Sequence, residues 1–213
     1  MVLASGIVLF AAFGAGEGAR HVPCPRSGPE CGRALQEAID AAPPGSTITL
    51  DAGRVYVGTI NLRPQEGASP NARLTITTRG WENPGDGWQG LVRPSDKPRM
   101  AVLRASPGEP VALDIRSGPG SGHVELVGLA FEANPPSGQG DVIRIGSGRD
   151  TTADHLPRAI TIRQVLIQGD RRYGQKRAIA ANGQDLLIEQ VWCEEIFTAG
   201  QDNQCIAAWN GGH

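Results

Sequence analysis

A chain of 213 residues with 29 glycines, 16 prolines and 5% aromatic residues can bury one substantial core but is too turn-rich for long helices. Its net charge of −2 excludes a global electrostatic attraction to nucleic acid or to an anionic membrane. Many short strands joined by tight turns is the expectation.

Met1 to Ala15 is apolar and uncharged. It is too short to span a bilayer, which takes about 20 apolar residues. It fits the apolar core of a secretory signal, with Gly14 and Gly16 near a cleavage point, although the usual basic start is missing. Residues 1–19 are therefore expected to be a signal-like leader and the mature protein, residues 20–213, to be secreted or periplasmic. The alternative is a buried first segment of the mature fold.

Cys24 and Cys31 bracket the segment PRSGPE, where a small disulfide loop would suit an oxidising compartment. No C-x-x-C occurs, so the spacing offers no zinc site and no metal is expected there.

Residues 32–42 place Leu35 and Ile39 four apart, with Ala38 and Ala42 beside them, on one helical face. Pro43, Pro44 and Gly45 end that helix, because proline lacks the amide hydrogen and disfavours helix just before it. The segments STITL, VYVGTINL and RLTITT then read as strands. Residues 80–110, with Trp81, Trp88 and little periodicity, read as a protruding loop whose tryptophans either pack it down, the favoured role, or face a ligand.

An internal repeat follows. Val124, Leu126, Leu129 and Phe131 set an apolar spacing that recurs at Ile160, Ile162, Val165 and Ile167, and again at Leu186, Ile188, Val191 and Cys193. The offsets of the first strand are 36 and 26 residues, and those of the second strand (143, 179, 206) are 36 and 27. Such periods mean a solenoid, propeller or array. No 3.6-residue period occurs within the unit, and four antiparallel strands do not fit 26 residues, which leaves stacked parallel strand coils. The residues skipped between the paired apolar positions mark a bend between two sheets. Leu126, Ile162 and Ile188 should stack in register, as should Ile143, Ile179 and Ile206. Cys193 fills an apolar slot and should be a buried free thiol, with Cys205 pointing the other way.

These residues resemble the pectin-lyase-like right-handed parallel β-helix superfamily. The likeness runs from LQEAIDAAPPGSTITLDAGRVYVGTINL through HVELVGLAFE, AITIRQVLIQGD and DLLIEQVWCEEI to QDNQCIAAWNG, covering about residues 32–213. It implies an all-β solenoid with a short N-terminal cap helix. A solenoid needs a cap at both ends. The chain carries no second cap after Ile206, so a C-terminally truncated helix is expected. The superfamily's enzymes are mostly polysaccharide lyases and glycoside hydrolases, the former often using calcium and an arginine or lysine base. VWCEE (191–195) is faintly similar to the pectate-lyase segment V-W-I-D-H but departs at Cys193, Glu194 and Glu195, and carries no assignment. The polygalacturonase motifs are missing. The resemblance thus implies a carbohydrate-active protein, with calcium possible if it is lyase-like. The alternatives are a non-catalytic extracellular binding solenoid or an inactive fragment.

Arg158, Arg163, Arg171, Arg172, Lys176 and Arg177 stand against one acid, Asp170, while the next coil carries Asp185, Glu189, Glu194, Glu195 and Asp202 without a base. Stacked coils would place a basic row over an acidic one. This row is either a solvated ion-pair face or a groove for a uronate, which arginine pairs bidentately. Candidate substrate-binding residues are Arg171, Arg172, Arg177, Glu194, Glu195, Asp202, Gln204 and Trp209. Asn182 and Asn210 read as structural turn residues, and His123 and His155 as turn or surface histidines.

Overall fold

A computed structural model describes residues 19–81, 90–134, 136, 140–150 and 152–208. Residues 1–18, Trp88, Trp209 and Asn210 lie outside the described residues, and with them nearly all of the expected leader and one candidate site residue.

The chain opens with β1 (Ala19–Val22) and α1 (Pro29–Asp40). It then passes through β2 (Thr47–Leu50), β3 (Val55–Val57) and β4 (Ile60–Leu62). The next round is β5 (Leu74–Thr78), β6 (Ala101–Arg104) and β7 (Leu113–Ile115). It is followed by β8 (Gly122–Val127), β9 (Leu129–Glu132) and β10 (Asp141–Ile145). In the last two rounds the first two strands merge, giving β11 (Arg158–Gln168) with β12 (Arg177–Ala181), then β13 (Gln184–Glu194) with β14 (Gln204–Ala207).

Every named strand pairing is parallel, and the strands fall into three columns. The first runs β1, β2, β5, β8 and the first halves of β11 and β13. The second runs β3, β6, β9 and the second halves of β11 and β13. The third runs β4, β7, β10, β12 and β14. The architecture is thus mostly β, with parallel strands stacked round after round.

The repeat sets the register. Leu126 pairs with Ile162 and Ile162 with Ile188, and Ile143 pairs with Ile179 and Ile179 with Ile206, as the spacing predicts. Inward side chains of all three columns, among them Ile48, Tyr56, Leu113, Phe131 and Ile179, form one core. Burial fades in the last round: Ile188 is half-buried, and Ile206 is 45% exposed.

The bend between the first two columns falls on the skipped position. Gly128, Gln164 and Gln190 occupy equivalent places there with φ of 63°, 53° and 53°. This left-handed conformation costs a non-glycine residue roughly 1–2 kcal/mol, and neighbouring contacts must hold it. At Gln164 the contact is visible: its side-chain Oε1 accepts the Trp81 indole N–H at 3.0 Å. Trp81 lies on Gly128, where a Cβ would stand 2.3 Å from the indole. It packs with Val92, Met100, Val102, Val127, Ala130 and Leu166 in a second cluster outside the main core. Packing, as expected, is its role.

The helix covers the first round, burying Leu35, Ala38 and Ile39. It starts three residues earlier and ends two earlier than the periodicity suggests, because Pro29 suits the first helical turn and Glu30 faces the positive helix end. Gly32 permits the close approach, since a Cβ there would stand 2.0 Å from the Val57 carbonyl oxygen. The Cys24–Cys31 disulfide ties the helix start to the segment after β1.

Three readings need correction. Cys193 is not a free thiol: it is bonded to Cys205, with Cα atoms 5.7 Å apart. The loop 195–203 turns back far enough to bring the start of β14 beside the end of β13, which strand alternation alone does not convey. Second, β6 lies inside residues 80–110, read as loop. Its AVLR segment shows no polar alternation because the insertion covers its outer side, leaving Ala101, Val102 and Leu103 all buried. Third, His123 is buried, at a left-handed position with φ of 54°, whereas His155 is an exposed turn residue.

The insertion is clipped at its base. The Thr78 hydroxyl donates to the Gly128 carbonyl at 2.6 Å and accepts from the Ala101 amide at 2.8 Å. Within it, Pro94–Arg99 forms a short 3-10 segment.

Asp51 anchors the first strand. It accepts from the Cys24 amide at 2.9 Å, sits 2.9 Å from His21 Nε2 and lies 3.4 Å from Arg79. Burial alone would raise its carboxyl, but the Cys24 amide and His21 outweigh it and hold the group below its ordinary value of 3.8. A depressed carboxyl stabilises the fold above its unfolded value, and that contribution is lost as pH falls through the lower folded value. Protection of the Cys24 amide, taken relative to its intrinsic exchange rate at each pH, should therefore fall as pH drops below 3.8, and Asp51→Asn should remove the acid step.

Candidate cleft on the second column

The position after the fourth apolar residue of each repeat copy carries a polar side chain that points away from the core. Register aligns Arg104 with Glu132, Glu132 with Gln168, and Gln168 with Glu194, at the ends of β6, β9, β11 and β13. Rounds of a parallel sheet are about 4.8 Å apart, so these side chains form one continuous row.

Glu132 organises it. Its side chain is only 8% exposed, and both oxygens are engaged. Arg104 Nε donates to Oε2 at 2.6 Å, and the Lys97 ammonium of the insertion reaches Oε1. The same ammonium contacts Gln168 Oε1, and Gln168 Nε2 donates to Glu195 Oε2 at 3.0 Å. The chain of contacts thus runs from the insertion across three rounds.

Beyond the row, the turn after β11 supplies the rim. Buried Asp170 accepts the backbone amides of Arg172 and Tyr173 at 3.0 and 3.1 Å, fixing the turn that carries Arg171 and Arg172. Both arginines are exposed, and the Arg172 guanidinium stacks 5.1 Å from the Tyr173 ring centre. Together these groups enclose a cleft of about 380 Å³ lined by Lys97, Arg104, Glu132, Gln168, Asp170, Arg171, Arg172 and Glu195.

Of the residues expected from sequence, the structure brings Arg171, Arg172 and Glu195 together here. Glu194 lies at the edge of the row and accepts the Trp192 indole N–H at 3.4 Å. Arg177 lies elsewhere, on the third column, where it pairs with Asp141 at 2.5 Å and stands in register with Gln204. Asp202 is exposed in the loop before β14. Sequence reasoning missed Lys97, Arg104, Glu132 and Gln168. The repeat phase held the signal for Glu132 and Gln168, while nothing in the sequence reveals that the insertion folds Lys97 back onto them.

The expected basic row over an acidic one is also corrected. Arg163 stands in register with Glu189 but bonds the preceding round instead, reaching Glu125 at 2.6 Å. Arg144–Asp114 and Arg177–Asp141 likewise link a round to the one before it.

The cleft does not fit a calcium ion. Calcium takes six to eight oxygen ligands, whereas both oxygens of Glu132 are held by cations, and no three His, Cys, Asp or Glu residues converge for a metal among the described residues. Four cationic side chains against three carboxylates, Glu132, Asp170 and Glu195, leave the opening with one net positive charge, which suits an anion instead.

No protein-family model matches the sequence, and no curated protein does. A solved structure shares the architecture: an alginate lyase from Paenibacillus sp. str. FPU-7, with a TM-score of 0.51 at 16% identity. The match covers 81% of this chain and 44% of that one, so the chain spans less than half the length of the enzyme. The likeness is one of fold. Among the described residues no helix is long and apolar enough to cross a membrane.

Proposed function

We propose that this chain builds a right-handed parallel β-helix of the pectin-lyase-like type and that its second-column cleft holds an acidic polysaccharide for lyase chemistry. The observation that carries the reading is the convergence of Lys97, Arg104, Arg171 and Arg172 on one opening, two of them fixed by a buried carboxylate. The parallel columns, the fold shared with an alginate lyase and the in-register repeat support the β-helix. Two disulfides support export to an oxidising compartment.

In this reading Arg171 and Arg172 pair with a uronate carboxylate, since a guanidinium matches that group bidentately. Neutralising the carboxylate eases loss of the proton on the adjacent carbon. Glu195, the exposed carboxylate of the cleft, takes that proton. The electron pair forms the new double bond as the bond to the glycosidic oxygen breaks, and that oxygen is protonated by water. Hydrolysis asks for a carboxylic acid that can hand a proton to that oxygen. Glu132 could do so only by breaking both of its ion pairs, which leaves Glu195 without the second carboxyl group that hydrolysis uses.

A binding solenoid without turnover is the second reading. It is favoured by the round-to-round pairs Arg104–Glu132, Arg144–Asp114 and Arg177–Asp141, which are structural wherever else they serve.

The test is titration with short oligouronates, with turnover followed by the ultraviolet absorbance of an unsaturated product. The double variant Arg171→Gln/Arg172→Gln should weaken binding about tenfold or more, the value of one lost charge-assisted pair. Binding without product selects the second reading. A folded chain that binds no acidic polysaccharide overturns both.

A further inference from the structure

We propose that the third column carries a second and separate binding site, for a carboxylate-bearing sugar unit, built on Arg116 and Arg144. It lies on a different sheet face from the cleft described above and does not depend on that cleft's function.

The site grows from three residues in register on β4, β7 and β10: Asn61, Asp114 and Arg144. All three point outward, since their strand neighbours Ile60, Leu113 and Ile143 are core residues. Arg144 grips the buried Asp114 with a two-pronged contact, Nε to Oδ1 at 2.9 Å and Nη2 to Oδ2 at 2.8 Å. Arg116 projects just past the end of β7 on the same side as Asp114. Its Nε and Nη2 donate to Asn61 Oδ1 at 3.1 and 2.7 Å, and it stands 3.4 Å from Asp114. Two guanidiniums are thereby held side by side.

One carboxylate serves both of them. Asp114 is taken up by the fork of Arg144, so the closest acceptor of Arg116 is a neutral amide oxygen. The trio keeps one positive charge. Each guanidinium has five N–H donors, and both Nη1 groups are left without an acceptor among the described residues. The arginines remain 54% and 44% exposed, so these donors are open to a ligand. Their orientation is already fixed, so an incoming carboxylate would not have to order them.

The opposite wall is set for hydroxyl groups. Asp150 Oδ2 accepts from the Ser147 amide at 2.8 Å and from the Ser117 hydroxyl at 2.5 Å. This leaves Oδ1 without a donor among the described residues. Between the walls lies a cleft of about 380 Å³, room enough for a ligand of sugar size. Cationic donors on one side and a carboxylate acceptor on the other match a ring that carries a carboxylate and hydroxyls.

The experiment is NMR titration of the whole chain with a short alginate oligosaccharide, using its carboxyl-reduced counterpart as the neutral control. Saturable shifts of the Ser147 and Asp150 amides are expected with the acidic sugar and not with the neutral one. Arg116→Gln should weaken this response about tenfold or more, while Arg172→Gln should leave it intact. Arg116→Lys keeps the charge without the fork and should recover only part of the affinity. It also serves should Arg116→Gln fail to melt cooperatively. Silence at Ser147 and Asp150, equal binding of the neutral sugar, or an unaltered titration in both Arg116 variants would overturn the proposal. Loss of response at Arg171 and Arg172 alone would strike the first cleft and spare this one.

Discussion

Replacing Ile162 with alanine is expected to lower the unfolding free energy by about 2–5 kcal/mol, the range for truncating a buried aliphatic side chain. Ile162 is fully buried and stands in the middle of its column, with Leu126 on one side and Ile188 on the other. The cost depends on how far the surroundings can collapse into the space. Here they can collapse little, because the backbones above and below are held by ladders of parallel hydrogen bonds at a fixed spacing. The upper half of the range is therefore expected. Ile188→Ala makes the internal comparison. It occupies the same column one round later, is only half-buried, and has no partner strand beyond it among the described residues. Its loss should cost less than half as much. Urea unfolding of both variants measures the difference through the midpoint at constant slope. Equal costs would mean that stacking in the column does not hold the fold.

The same column shows why so much of the architecture could be read from the sequence. Inward positions of a parallel stack must be apolar in every round, so Leu126, Ile162 and Ile188 repeat a pattern that spacing exposes. The bend was legible for a similar reason: the skipped position falls at the left-handed residues Gly128, Gln164 and Gln190. What was illegible involves the parts that do not repeat. The insertion holding Lys97 is unique to one round, and periodicity cannot place a segment that occurs once. The Cys193–Cys205 bond escaped for a related reason. Strand alternation describes residues inside a strand, whereas the path of residues 195–203 decides whether two strand ends meet. The ion pairs defeated a count of charges by coil. Arg163 has a carboxylate neighbour on either side, Glu125 and Glu189, and only side-chain geometry selects the former.

Glu132→Ala should loosen the second-column cleft more than any other single change within it. Two cations meet at this carboxylate, and their side chains are 30% and 39% exposed against 8% for Glu132. Water can therefore resolvate Lys97 and Arg104 once the acid is gone, and the full penalty for stranding a buried charge does not apply. A loss of about 1–3 kcal/mol is expected, the range for a charge-assisted hydrogen bond with a largely buried partner. The structural consequence is more specific than the energy. Lys97 belongs to the Pro94–Arg99 segment, so Glu132 ties the insertion to the row of side chains on the second column. Without that tie the backbone bonds of the segment, such as Met100 N–H to the Lys97 carbonyl at 3.0 Å, should open more often. Hydrogen exchange should accelerate at Asp96 and Met100 in the variant, while the amides of Ile143 and Ile179, on the third column, keep their protection. A double-mutant cycle with Arg104→Met isolates the pair, and a coupling of about 0.5–3 kcal/mol is expected for residues in direct contact. Unchanged exchange at Asp96 and Met100, with a coupling near zero, would show that the insertion is held by Thr78 and the Trp81 cluster alone. The cleft would then lose the fixed cation pair on which its anion-binding geometry rests.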